Sequence, residues 1–518
     1  MSNRLRNLVV IAGFLIILRL LSSCGGQEMP FLSNSEQELL NAQYELALIK
    51  IGDEPRLSVK LTLTMPRDEI YLQLPNTFLR RDRLFDRIEN LKSLGTNSII
   101  SAERNHHNFK LLHSRKGERV SLRYFVKADE QAGFGSSDSF YAPIIRNDYF
   151  NFVGSMALVV PFVPKADGPM VPLSITWNLP DNYEVYNSFG SRQNRQNINS
   201  NFAEMWDAVY TGGSHIRAQE IEVRGKPVII ALEGHWSKIP DAEFIDVIAR
   251  LLATQRKTWR DDDFPYFFVS FLSLGAGCDA QKPFRFAGSA HKNSFRAYFP
   301  ADCQLTPEMK QLISHELMHQ WIGKQVKMGQ KPGHVDGKWL TEGWTDYYGR
   351  LLAYHAGILT EQEYFQTLNK VLADYQSSKE RGVSLNSLVQ RMYKRGYSTR
   401  QLEQVPYQQG EIMALRLNQK IKQASNFTHS LDDVMRDLLS EAKQSSSGKN
   451  FSVAEIAAIV ENYIPGAFAK EFAKVSYGNQ PLLPPVLPGC SNPAEYAGRA
   501  LGIYAYYKLG KECHKWLN

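Results

Sequence analysis

His315-Glu316-Leu317-Met318-His319 decides how this chain is read, because a helix turns its spacing into a metal site. Residues four apart share one helical face, so the two imidazoles can close on one ion. Glu316 then falls beside the open coordination position, where a carboxylate can take a proton from water. Thr306-Pro307-Glu308 supplies an N-cap followed by proline at the first helical position. Apolar residues recur at Met309, Leu312, Ile313, Leu317 and Ile322, the spacing of a helix packed on a core.

Working outward, Trp339-Leu340-Thr341-Glu342-Gly343-Trp344-Thr345-Asp346-Tyr347-Tyr348 begins a second helix, with 22 residues between His319 and Glu342. A catalytic zinc takes three protein ligands and keeps one position open, and two His plus a Glu is a standard set. Asp346, one turn after Glu342, is spaced to accept the free N–H of a ligand histidine and so fix its tautomer. A third histidine would instead need Gly three and His six residues after His319, where Ile322 and Gln325 stand. His334, between the two helices, reads as a loop residue. Val405-Pro406-Tyr407-Gln408-Gln409-Gly410 precedes a helical run, Glu411 to Leu417. A tyrosine hydroxyl there could meet a developing oxyanion, although on its own Tyr407 is one of 24 tyrosines.

Together these residues resemble a gluzincin metallopeptidase, specifically the glycyl aminopeptidase family that often bears a PDZ domain, and more distantly the aminopeptidase N family. His315 to Trp321, Trp339 to Tyr348 and Tyr407 to Gly410 are similar to the families' H-E-x-x-H-x-W, W-x-x-E-G-x-x-x-Y-Y and Y-x-K-G segments, in the same order. Gly478 to Pro484 resembles the segment that closes the family's helical domain. The resemblance implies one zinc held by His315, His319 and Glu342, water activated by Glu316, and an oxyanion held by Tyr407. Three departures stand out. Gln409 replaces the family's lysine, and the 33 residues after residue 485 are too few for a PDZ domain. Ala287-Gly288-Ser289-Ala290-His291-Lys292-Asn293-Ser294 looks like the family's G-G-L-E-H-R-N-S strand, but Ala290 stands where a glutamate would grip a substrate's free amino terminus. An ammonium buried without a carboxylate is costly. Aminopeptidase action, endopeptidase action and action on blocked amino termini therefore stay open, as does a zinc-holding protein that only binds peptides. Gly288, Ala290 and His291 are candidates for the substrate cleft.

A chain of 518 residues, 43% hydrophobic, supports several domains with real cores. A net charge of +7 without a basic block gives no support to nucleic-acid binding. Arg4 and Arg6 precede an apolar run, Leu8 to Leu18, that suits a signal peptide. Leu21-Ser22-Ser23-Cys24-Gly25 resembles a bacterial lipoprotein processing box. Lipidated Cys24 would anchor the protein to a membrane, facing an extracytoplasmic space. The other cysteines, Cys278, Cys303, Cys490 and Cys513, are even in number, as in an oxidising compartment. Pairing of nearest neighbours, Cys278–Cys303 and Cys490–Cys513, closes the shortest loops.

The expected architecture is α+β and multidomain. Residues 1–23 read as signal peptide and 24–36 as a tether. An N-terminal β-sandwich-like domain follows at 37–235, from alternating runs such as Arg56 to Leu63. A thermolysin-like catalytic domain is expected at 236–375, a helical domain at 376–485, and a disulfide-pinned tail at 486–518. The cleft is expected between the catalytic and helical domains. Asn187 to Asn201, polar and turn-rich, reads as a surface loop. Thr360 with Glu363 and Ser452 with Glu455 read as capping boxes.

Overall fold

The structure, a computed structural model, describes residues 31–518 apart from 80, 103–106, 129–136, 164–167, 265, 275–285, 329–336, 389–390, 392–399, 446–447, 479–480, 489, 491–506, 508–512 and 518. Residues 1–23, expected to be a signal peptide, and Cys24, Cys278 and His334 lie outside the described residues.

The first half is built from sheets. Gln43–Ile51 and Glu54–Thr64 form a long antiparallel hairpin at the centre of a six-stranded sheet. Their alternation buries Leu57, Val59, Leu61 and Leu63 against Leu122, Tyr124 and Val126 of Arg119–Lys127. A four-stranded and a five-stranded sheet complete this half around one core. Asn187 to Asn201 is a correction to the reading as a loop. It contributes strands at Glu184–Asn187, Gly190–Ser191 and Arg195–Ser200. Its buried polar side chains find protein partners, Asn187 donating to Gln196 Oε1 at 2.7 Å and Ser188 meeting Ser294 Oγ at 2.7 Å, whereas Arg192 to Arg195, Asn197 and Asn199 are exposed.

The second half is a five-stranded sheet under helices. Its strands are Arg217–Val223 (β1), Lys226–Glu233 (β2), Phe267–Ser273 (β3), Ala287–His291 (β4) and Ser294–Phe299 (β5), in spatial order β1-β2-β3-β5-β4. Here β2, β3 and β5 run parallel, while β1 and β4 are antiparallel edges. The sheet thus joins strands from both sides of residue 235. The crossover from β2 to β3 is helix α1, Asp241–Trp259, whose Phe244, Val247, Ile248, Leu251 and Leu252 are buried at helical spacing. One face of the sheet packs on the helices; Ile229, Ala231 and Phe268 on the other join the core of the first half.

Five helices position the site or its support: α2 (Pro307–Met318), α3 (Lys338–Thr341), α4 (Gly343–His355), α5 (Glu361–Ser377) and α6 (Arg400–Ala424). Thr306 caps α2 by accepting the amide of Met309, with Pro307 at the start, and the boxes at Thr360–Glu363 and Ser452–Glu455 both form. Helices of the 376–485 region share one continuous buried cluster with the sheet, from Val223 to Leu517. Cys490 and Cys513 are bonded, with Cα atoms 5.2 Å apart. The bonded tail docks through Trp516, whose carbonyl accepts Lys422 Nζ at 3.1 Å. Cys303 is buried. No helix among the described residues is long and apolar enough to cross a membrane.

Candidate active site

Helix α2 brings His315 and His319 onto one face, where their Nε2 atoms lie 3.0 Å apart. Glu342 sits at the break between α3 and α4, and its Oε2 is 3.5 Å from His315 Nε2 and 3.6 Å from His319 Nε2. A zinc bound tetrahedrally at about 2.0–2.1 Å would hold its ligand atoms roughly 3.3 Å apart. The donor triangle therefore fits that ion. Both other ring nitrogens are committed: His315 Nδ1 to Asp346 Oδ1 at 2.8 Å, and His319 Nδ1 to the Ile322 carbonyl at 3.0 Å. Those bonds turn each Nε2 lone pair inward. Among the described residues this is the one His/Cys/Asp/Glu group that could hold a metal ion.

The electrostatics favour a cation. Burial alone would depress the His315 imidazole, but Asp346 and Glu342 outweigh it and hold it well above its ordinary range. His319 is pushed down by burial to about 4, partly offset by Glu342. Burial raises the Glu316 carboxyl to about 7, with Glu342 and Asp346 adding to the effect. Three carboxylates around two imidazoles make a surplus of negative charge that a dication would relieve.

Two close approaches set the remaining groups. A Cβ on Gly288 would stand 2.5–2.7 Å from the side chain of Glu316, so only glycine lets β4 press against that carboxylate. Gly343 and Gly410 meet where α4 crosses α6: a Cβ on Gly410 would stand 2.0 Å from the Trp339 carbonyl oxygen and 2.8 Å from Gly343 Cα. This crossing seats Tyr407 over Glu342, and burial, with the nearby carboxylates adding, holds its hydroxyl well above the usual tyrosine range. Tyr407 lies within α6, a helix that contains Pro406, not ahead of a helix as its sequence suggests. Arg350 of α4 braces the arrangement, with Nε 2.9 Å from Glu411 of α6 and Nη1 2.9 Å from Gln311 of α2.

His315, Glu316, His319, Glu342, Asp346 and Tyr407 line one cleft of about 750 Å³, together with Phe78, Leu79, β4, Glu308, Gln311, Leu312 and Lys324. Phe78 and Leu79 belong to the N-terminal half, so the cleft has walls from all three regions and not only from the catalytic and helical ones. Ala290 contacts the core, and its place on β4 offers no carboxylate. His291 is buried, stacked near Phe78, with Nε2 2.7 Å from Ser289 Oγ and Nδ1 3.1 Å from Asp207 Oδ1. Asp207 also pairs with Lys324, tying the N-terminal half to the cleft.

Sequence reasoning missed Asp207, Lys324, Phe78, Leu79 and Glu308. Only Glu308 carried a local signal, seven residues before His315 on the same helical face. Burial would raise the Asp207 carboxyl, but Lys324 and His291 outweigh it and lower it to about 2 from 3.8. A depressed folded pKa contributes stability that is complete above about pH 4 and is lost as pH falls toward 2. Thermal midpoints of Asp207→Asn should therefore fall less steeply than wild type across that window, and parallel curves would refute the link.

A model of the M61 glycyl aminopeptidase family matches residues 308–413. No curated protein matches the sequence. Among solved structures, an aminopeptidase N family protein from Idiomarina loihiensis is similar with a TM-score of 0.69 at 18% identity, covering 85% of this chain and 77% of that one. An M1 zinc metallopeptidase from Deinococcus radiodurans gives 0.51 at 15% identity, covering 87% and 96%. Yeast LTA4 hydrolase in complex with bestatin gives 0.52 at 15%, covering 90% and 72%. At such identities the likeness to these structures is one of fold. Residues 308–413, the segment that builds the site, thus match the M61 glycyl aminopeptidase model, and the chain shares its fold with M1 zinc metallopeptidases.

Proposed function

We propose that the protein hydrolyses peptide bonds with one zinc held by His315, His319 and Glu342. The observation that carries this is the convergence of those three donor atoms in a cleft that Glu316 and Tyr407 also line. When bound, the ion supplies Lewis acidity to the scissile carbonyl and a lowered pKa to water. Glu316 accepts the proton of the attacking water and returns it to the leaving amine. Tyr407 donates its hydroxyl to the oxyanion. Asp346 keeps His315 in the tautomer that presents Nε2. The Deinococcus radiodurans metallopeptidase has been solved with a Tyr-Ser-Ala substrate, which supports a peptide as the ligand here. Tyr407→Phe should lower kcat by roughly a hundredfold with KM little changed; a wild-type rate would reduce Tyr407 to packing.

Aminopeptidase-like action is the first reading, and Ala290 favours internal or blocked substrates as the second. Hydrolysis of matched peptides with free and acetylated amino termini separates them. Cleavage of free peptides alone means that another carboxylate serves the amine. Cleavage of acetylated peptides means that none is needed. Cleavage of neither by the zinc-loaded protein would leave the peptide-binding alternative. We also propose an extracytoplasmic protein anchored by lipid on Cys24. The Cys490–Cys513 bond supports an oxidising compartment, and mass spectrometry of the mature amino terminus tests the anchor.

A further inference from the structure

Glu308 is the cleft's one lining carboxylate, among the described residues, with no assigned task. Glu316, Glu342 and Asp346 serve the base, the metal and His315. Glu308 is half-buried in the first turn of α2 and forms no ion pair with any described residue. It shares the face of α2 that carries Gln311 and Leu312, three and four residues on, and then His315 and His319. Gln311 is fixed from behind by Arg350 at 2.9 Å. Leu312, one turn along α2 from Glu308, and Phe286 line the same cleft and are apolar.

A partly buried carboxylate beside two apolar side chains suits a long cationic side chain, whose methylenes pack on Phe286 and Leu312 while its charged end pairs. Position sets the register. Seven residues of helix separate Glu308 from His315, about 10.5 Å of rise, which an extended peptide covers in about three residues. That is too far for the amine of a residue whose own carbonyl is attacked.

We propose that Glu308, Leu312 and Phe286 form a subsite for lysine or arginine about three residues from the scissile bond, so that the enzyme reads an extended basic peptide and not only a terminal residue. This rests on the peptidase reading above, and it names that site's substrate class.

The test uses the full zinc-loaded chain and eight-residue peptides, free and acetylated, with Lys, Leu or Glu scanned through four positions on either side of the cleaved bond. Lys should exceed Glu in kcat/KM by about tenfold at one position about three residues away, less so at high salt. Glu308→Gln should bring that ratio near one while leaving the Leu peptide cleaved as in wild type, which also certifies its fold. Glu308→Lys should invert the ratio. An identical scan for wild type and Glu308→Gln, or a Lys advantage only next to the cleaved bond, would overturn the subsite. Binding of Lys and Glu peptides to Glu316→Gln protein, followed by fluorescence anisotropy, reads the same ratio without turnover. If nothing is cleaved yet that ratio persists and vanishes on adding Glu308→Gln, the peptidase reading fails and the subsite stands.

Discussion

Glu316→Gln should leave zinc content at the wild-type level and lower kcat by about a thousandfold or more. Glutamine matches glutamate in shape, so the contact with Gly288 is kept and β4 has no cause to move. It also removes a carboxyl that burial has raised to about 7, so the site loses a costly charge rather than a packing group. Only the proton acceptor disappears. Metal analysis beside peptide turnover checks both halves, and a variant that still turned over at the wild-type rate would exclude Glu316 as the base.

Glu342→Ala should act on the other half of the chemistry and release the ion. Structural zinc sites with four ligands are worth about 10–16 kcal/mol, or some 3 kcal/mol per ligand, so zinc affinity should fall by about a hundredfold or more. Chelator competition measures it. The two histidines remain, held by Asp346 and the Ile322 carbonyl, so excess zinc should restore occupancy without restoring full turnover. Unchanged affinity would remove Glu342 from the ligand set. Opposite patterns of metal content in the two variants would separate base from ligand.

Much of this was legible in the sequence because it is local. The pairing of His315 with His319 and the cap at Thr306 depend on residues within a turn or three, where helical geometry leaves little choice. The same holds for the capping boxes at Thr360–Glu363 and Ser452–Glu455, which both form. What escaped was set by distant partners. Asn187 to Asn201 mixes exposed polar residues with a few buried ones, Asn187, Ser188 and Gln196, that bond partners in other strands, and composition cannot tell such a hairpin from a loop. Strand β2 finds its parallel partner β3 only beyond a 19-residue helix. Asp207 faces His291 across 84 positions, and no local pattern points there. The helix break at Glu342 packs against Gly410, 68 positions further along the chain.

The crossing of Gly343 with Gly410 also decides which side of the cleft can give. Backbone rests on backbone there, so no side chain can change rotamer to absorb a displacement. Glu342 and Tyr407 consequently move as a single jaw, stiffened by the Arg350–Glu411 pair. The opposite jaw is an edge strand, Ala287–His291, joined to the N-terminal half by side-chain contacts that can lengthen or swing. A bulky ligand would therefore meet less resistance from that strand than from the Glu342–Tyr407 side.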